Sequence, residues 1–102
     1  MKRSEAKQVE GWIRRQFRRR WPGLQSVSHE ERDGSYYFAI RHRSRDLWLV
    51  VELRAYRSLS FDELVEFLNS RRWLDRIRVD SVLQVNLPGI HPTLGVVPGL
   101  VR

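Results

Sequence analysis

Apolar residues recur along the first part of the chain at helical spacing. Ala6, Val9, Trp12, Ile13, Phe17 and Trp21 fall on one side of a helical wheel, the pattern of a buried stripe, and predict a helix over residues 4–21. Lys7, Arg14, Arg15, Arg18 and Arg19 fall opposite. Arg20 lies within the stripe and must carry its charge out to water along its apolar stem. Pro22-Gly23 ends the helix. The aromatic residues of "EGWIRRQFRRRWPG" therefore belong mainly to the core side, and the arginines form a separate outer face.

The period then changes from helical to alternating. Residues 24–32 predict a first strand, and Asp33-Gly34 is a pair favoured in type I′ hairpins. Residues 35–43 predict a second strand and Ser44-Arg45 a second turn. Residues 46–56 predict a third strand, nearly all apolar and therefore central. Ser60 and Glu63 form a capping box, with Leu59 and Leu64 placed for a hydrophobic staple. The helix they open buries Phe61, Leu64, Val65 and Leu68. It ends near Asn69–Arg72, or one turn later through Trp73-Leu74. Residues 77–87 alternate, with Ile77, Val79, Leu83, Val85 and Leu87 on one face, and predict a last strand. Residues 88–102 hold three prolines and three glycines and read as an irregular arm. The order α-β-β-β-α-β predicts an α+β fold. It is a two-layer sandwich with a mostly antiparallel four-stranded sheet and both helices on one face. Residues 1–87 form the single domain, and 88–102 are its C-terminal arm.

A two-residue turn at Ser44-Arg45 fixes a register that sets Tyr37 opposite Glu52. Tyr36, Phe38, Ile40 and His42 then share the core face with Leu47, Leu49, Val51 and Leu53. Tyr37, Ala39 and Arg41 share the open face with Trp48, Val50, Glu52, Arg54 and Tyr56. Tyr37, Trp48 and Tyr56 make that face a candidate interaction surface, either for a second copy of the chain or for stacked bases.

Charge changes the picture at one place. The chain of 102 residues carries a net charge of +7. Nearly all of the excess lies in residues 1–21, where eight basic residues face two acidic ones. A local patch of one sign points to an anionic partner, nucleic acid or an acidic protein. Arginine outnumbers lysine 17 to 2, which a GC-rich genome also produces. Cysteine is absent, which excludes disulfides, thiol nucleophiles and thiolate metal sites. No apolar run reaches the length of a membrane span. The charged N-terminus lacks a signal-peptide core, so the expected location is cytoplasmic. His29, His42 and His91 have no metal-ligand spacing, and His42 reads as a structural residue.

The order α-β-β-β-α-β also resembles the core of the restriction-endonuclease-like, PD-(D/E)xK, nucleases. Glu52-Leu53-Arg54 resembles that family's E-x-K, Asp33 its upstream aspartate, and Glu5 or Glu10 the glutamate that some members carry on the first helix. The resemblance would span about residues 4–87. It implies magnesium-dependent phosphodiester cleavage at Asp33, Glu52 and Arg54, with magnesium as cofactor. The chain departs from the pattern in three ways. Arg54 replaces the lysine and cannot lose its proton near neutral pH, no proline precedes Asp33, and Asp33 lies four positions beyond the residue opposite Glu52. Three strands between two helices is also the layout of double-stranded-RNA-binding domains, but Ser60-Phe61-Asp62-Glu63 stands where those carry lysines.

The expected function is that of a non-enzymatic binding domain without cofactor. Its phosphate contacts come from Lys7, Arg14, Arg15, Arg18 and Arg19, with Arg41, Arg43 and Arg45 as a second patch. The alternatives are a homodimeric interaction or adaptor domain and, third, a degenerate nuclease.

Overall fold

The computed structural model describes residues 1–96. A 3-10 turn at Arg3–Glu5 leads into α1 (Ala6–Arg20). Strands β1 (Leu24–Arg32), β2 (Ser35–His42) and β3 (Arg45–Glu52) form an antiparallel meander. Three helices follow, α2 (Leu53–Ser58), α3 (Phe61–Ser70) and α4 (Trp73–Asp80), then β4 (Val82–Asn86) and β5 (Thr93–Val96). The fold is α+β, with a five-stranded sheet in the order β1-β2-β3-β4-β5. It is mixed, because β4 runs parallel to β3 after the helical crossover while β5 is antiparallel to β4.

The helical stripe of α1 is as its spacing predicts. Ala6, Val9, Trp12, Ile13 and Phe17 are buried. Arg20 differs: it is exposed and paired with Asp75 at 2.8 Å. The α3 capping box is formed in both directions, Glu63 N donating to Ser60 Oγ at 3.1 Å and Ser60 N to Glu63 Oε1 at 2.8 Å. The buried residues of all four helices gather in one cluster with Phe38, Ile40, Leu47, Leu49, Leu83 and Val85. These strand residues share one face of the sheet, so the helices cover that face.

Four sequence expectations need correction. The third strand does not run to residue 56. Its partner β2 begins at Ser35, so the ladder runs out at Glu52, and Leu53 N closes it by donating to Gly34 O at 2.9 Å. The chain then coils as α2 and turns Ala55 and Tyr56 into the core.

The last strand does not begin at Ile77. Trp73, Leu74 and Ile77 stand at helical spacing and are buried in α4, while Val79 is 82% exposed. Over so short a stretch the apolar residues satisfy both periods, and packing selects the helical one.

The second turn is Arg43-Ser44, both with positive φ, and not Ser44-Arg45. Ser35 therefore lies opposite Glu52. A shift of two leaves the faces of residues 36–42 and 47–52 as assigned, because side chains alternate with period two, whereas Leu53, Arg54 and Tyr56 leave the sheet with α2.

The sheet gains a fifth strand from the expected irregular arm. Residues 93–96 pair with β4, and Thr93 Oγ1 bonds the Asn86 side chain. The rest of that arm, 97–102, lies outside the described residues.

A candidate nucleic-acid interface at the end of the first helix

The outer face of α1 is set by what its stripe leaves over. Lys7, Arg15, Arg18 and Arg19 are exposed. Among the described residues none of them makes an ion pair. Arg14 is half-buried and donates to Val27 O at 3.2 Å, which ties the helix to β1. Glu10 is taken up by the His29 ring, so it neutralises none of the four. Arg3 pairs with Glu31 and Arg32 with Glu30. Glu30 and Glu31 of the sheet are thus taken up, and the four helix cations face solvent.

The second arginine group sits beside the end of α1. Arg43 N donates to Gly23 O at 3.0 Å, and Arg43 Nε to Pro22 O at 3.3 Å. His42 Nε2 meets the same Pro22 carbonyl at 2.9 Å and must donate to it, since a carbonyl only accepts. Ser44 N donates to Gln25 Oε1 at 2.7 Å. Three bonds therefore bolt the hairpin to the Pro22-Gly23 exit, and a fourth ties it to the start of β1. The fit needs glycine: φ at Gly23 is +102°, and a Cβ there would lie 2.7 Å from Arg43 Cγ.

The eight expected phosphate contacts divide accordingly. Arg45 donates to Arg78 O at 3.1 Å and Ser81 Oγ at 2.8 Å and so clamps the end of α4. Arg41 donates to Asp46 at 3.1 Å. Arg43 uses one side-chain nitrogen, and among the described residues its terminal nitrogens have no protein partner. Two residues at this end escaped the sequence reading. The guanidiniums of Arg20 and Arg78 lie 4.7 and 4.3 Å from the Trp21 ring centre, within cation–π range. Arg78 was hidden because its segment alternates like a strand.

The other candidates are dispersed. Tyr37 and Trp48 meet edge to face at 6.2 Å on the open sheet face, with the Arg32 guanidinium 4.5 Å from the Tyr37 ring centre. Tyr56 does not join them. It is buried under the helices, stacked on Tyr36 at 4.1 Å, and its hydroxyl donates to Lys2 O at 2.7 Å. Burial, with Tyr36 and Glu5 nearby, pushes its pKa up to about 12.

Of the nuclease-like residues, Asp33 is exposed in the first turn and Glu52 ends β3. Arg54 lies on α2, not on a strand. The observed register puts Asp33 two positions from the residue opposite Glu52, half the expected offset. Glu5 accepts from Lys2 N at 2.8 Å, and Glu10 is held by His29 on the helix-covered face. Among the described residues no group of three or more His, Asp or Glu side chains is placed to hold a metal ion. No helix among them is long and apolar enough to cross a membrane. No family model matches the chain, and neither a curated protein nor a solved structure shows significant similarity to it.

Proposed function

We propose that this chain is a small basic binding domain that holds nucleic-acid phosphates through α1, without catalysing a reaction. One observation carries the reading: Lys7, Arg15, Arg18 and Arg19 have no acidic partner among the described residues, whereas most of the other arginines do structural work. From Lys7 to Arg19 the helix rises about 18 Å, the axial length of about five phosphates on one strand. Arg43, fixed beside the helix end, extends the row. Contacts of this kind give affinity and orientation with little base selectivity.

The test is equilibrium binding of fluorescent single- and double-stranded DNA and RNA, with and without magnesium. Four neutralised phosphates on a duplex give a log–log salt slope of roughly −3.6, or about a 150-fold loss between about 50 and 200 mM salt. Arg15→Glu with Arg18→Glu and Arg19→Glu should abolish binding, while Asp62→Asn should leave it unchanged. Absence of binding at low salt would remove the reading and turn the search to an acidic protein. Magnesium-dependent cutting that Glu52→Ala removes would install the nuclease reading in its place.

The edge-to-face Tyr37–Trp48 pair favours a second reading, a homodimer formed through the open sheet face. It predicts a salt-insensitive dimer by sedimentation that Trp48→Glu dissociates, with no affinity for nucleic acid.

A further inference from the structure

Gly11 stands in the interior of α1, where a glycine weakens a helix relative to alanine. Core packing does not require it. Gly11 lies outside the buried stripe of the helix, and its φ is not positive. Among the described residues, and beyond the helix's own backbone, a Cβ built there would meet one atom within 4 Å, Arg15 Nη1 at 3.3 Å. No atom of α3 or of the sheet comes that close, so the missing side chain is not what lets two elements pack. It leaves a dent in the outer face of α1. Arg15 folds back over this dent, as helical side chains lean towards the N-terminus.

The dent opens on a cavity of about 340 Å³, lined by Lys7, Gln8, Gly11 and Arg15 of α1 and by Phe61 of α3. That is the lower end of the size range of ligand pockets. Lys7 and Arg15 stand one helical turn before and after Gly11. Both are exposed, and neither has an acidic partner among the described residues. Phe61 supplies the opposite wall. It is half-buried and opens α3, where the Ser60–Glu63 capping box fixes the backbone around it. The acids that follow it, Asp62 and Glu63, do not line the cavity.

We infer that this cavity seats one nucleotide of a single strand, with its phosphate between Lys7 and Arg15 and its base against the Phe61 ring. Resting on the reading of α1 as the phosphate-holding helix, this site narrows the partner to single strands. Two cations beside an aromatic wall suit a ligand that carries an anion next to a flat ring. A duplex keeps its bases in its own stack and brings only phosphates to such a surface, whereas a single strand can turn a base onto an aromatic side chain. Stacking of this kind accepts any base, since every base has a π face. Gly11 is the residue that keeps the space open.

The test measures binding of the full chain to labelled oligothymidylate, to an abasic strand of the same length and to a duplex, by fluorescence anisotropy. The thymidine strand should bind about tenfold more tightly than the abasic one, the worth of one stacked base. Phe61→Leu should remove that advantage and leave duplex binding and the salt slope as they are, because no phosphate contact is lost. Lys7→Gln should instead reduce the log–log salt slope on the single strand by about 0.7. Gly11→Ala fills the dent and pushes the Arg15 guanidinium outward. It should raise Tm by about 4 °C and still weaken oligothymidylate binding about tenfold, so the lost affinity cannot be ascribed to a damaged fold. Equal binding of the thymidine and abasic strands, full affinity in Gly11→Ala, or a thymidine advantage that survives Phe61→Leu overturns the inference. Each of these outcomes leaves phosphate binding by α1 standing. Absence of binding to every strand at low salt removes both.

Discussion

The backbone N–H of Arg43 donates to the carbonyl of Gly23 at 3.0 Å, and through this bond the tip of a hairpin becomes part of the end of a helix. Substitution at Gly23 tests the junction. Gly23→Ala should cost about 1–2 kcal/mol for the left-handed backbone alone, with the Arg43 side chain also displaced. Urea unfolding reads the loss of stability. A variant as stable as the parent would mean that hairpin and helix end are not coupled.

Arginines with partners and arginines without them should separate experimentally. Arg45→Ala unfastens the end of α4, where it bonds Arg78 O and Ser81 Oγ, and should lower stability by about 1–2 kcal/mol. Arg18→Ala and Arg19→Ala should change stability by less than about 0.5 kcal/mol, as surface substitutions do, while weakening oligonucleotide binding. Thermal melts and binding isotherms on the same three proteins decide the matter.

Arg72 tests the strain at the α3–α4 corner. Arg72→Gly relieves a left-handed non-glycine residue and should stabilise the fold by about 1 kcal/mol. A Tm that does not rise in a thermal melt would mean that the left-handed corner stores no strain.

Tyr56 makes a prediction about alkali. Its folded pKa is raised from 10.0 to about 12 by burial first of all, so the folded chain keeps the phenol proton that the unfolded chain gives up. The contribution of this group is fully present below about pH 10 and is lost as pH rises towards 12. Tyr56→Phe should flatten the fall of stability over that window. It should also cost about 1 kcal/mol at neutral pH through loss of the bond to Lys2 O. Denaturation at pH values on either side of the window measures both effects.

Some of this was legible in the residues and some was not. The stripe of α1, the Ser60–Glu63 capping box and the Asp33-Gly34 turn are local, and the chain carries each signal within a few positions. The two sheet faces were readable because alternation survives a register error of two. The end of β3 was not, since nothing in "LVVELRAY" says that β2 has already run out at Ser35. Trp73–Asp80 holds too few apolar residues to tell helix from strand. The arginine row was visible as composition. Which of its members are available was not, because Arg41 meets Asp46, Arg45 meets Arg78 O, and Arg14 meets Val27 O only once the chain is folded.

The parallel pairing of β3 with β4 also sets an order of events during folding. The meander of β1, β2 and β3 joins neighbouring segments through two-residue turns, so little loop entropy opposes it. β4 reaches β3 only across residues 53–81, after three helices have compacted. A chain stopped at that stage would hold its hairpins but expose the inner edge of β3, where Leu49 and Val51 await Leu83 and Val85. Such an unpaired edge is what another chain can add to. Concentration-dependent association early in refolding, fading as β4 docks, is the kinetic signature this topology should leave.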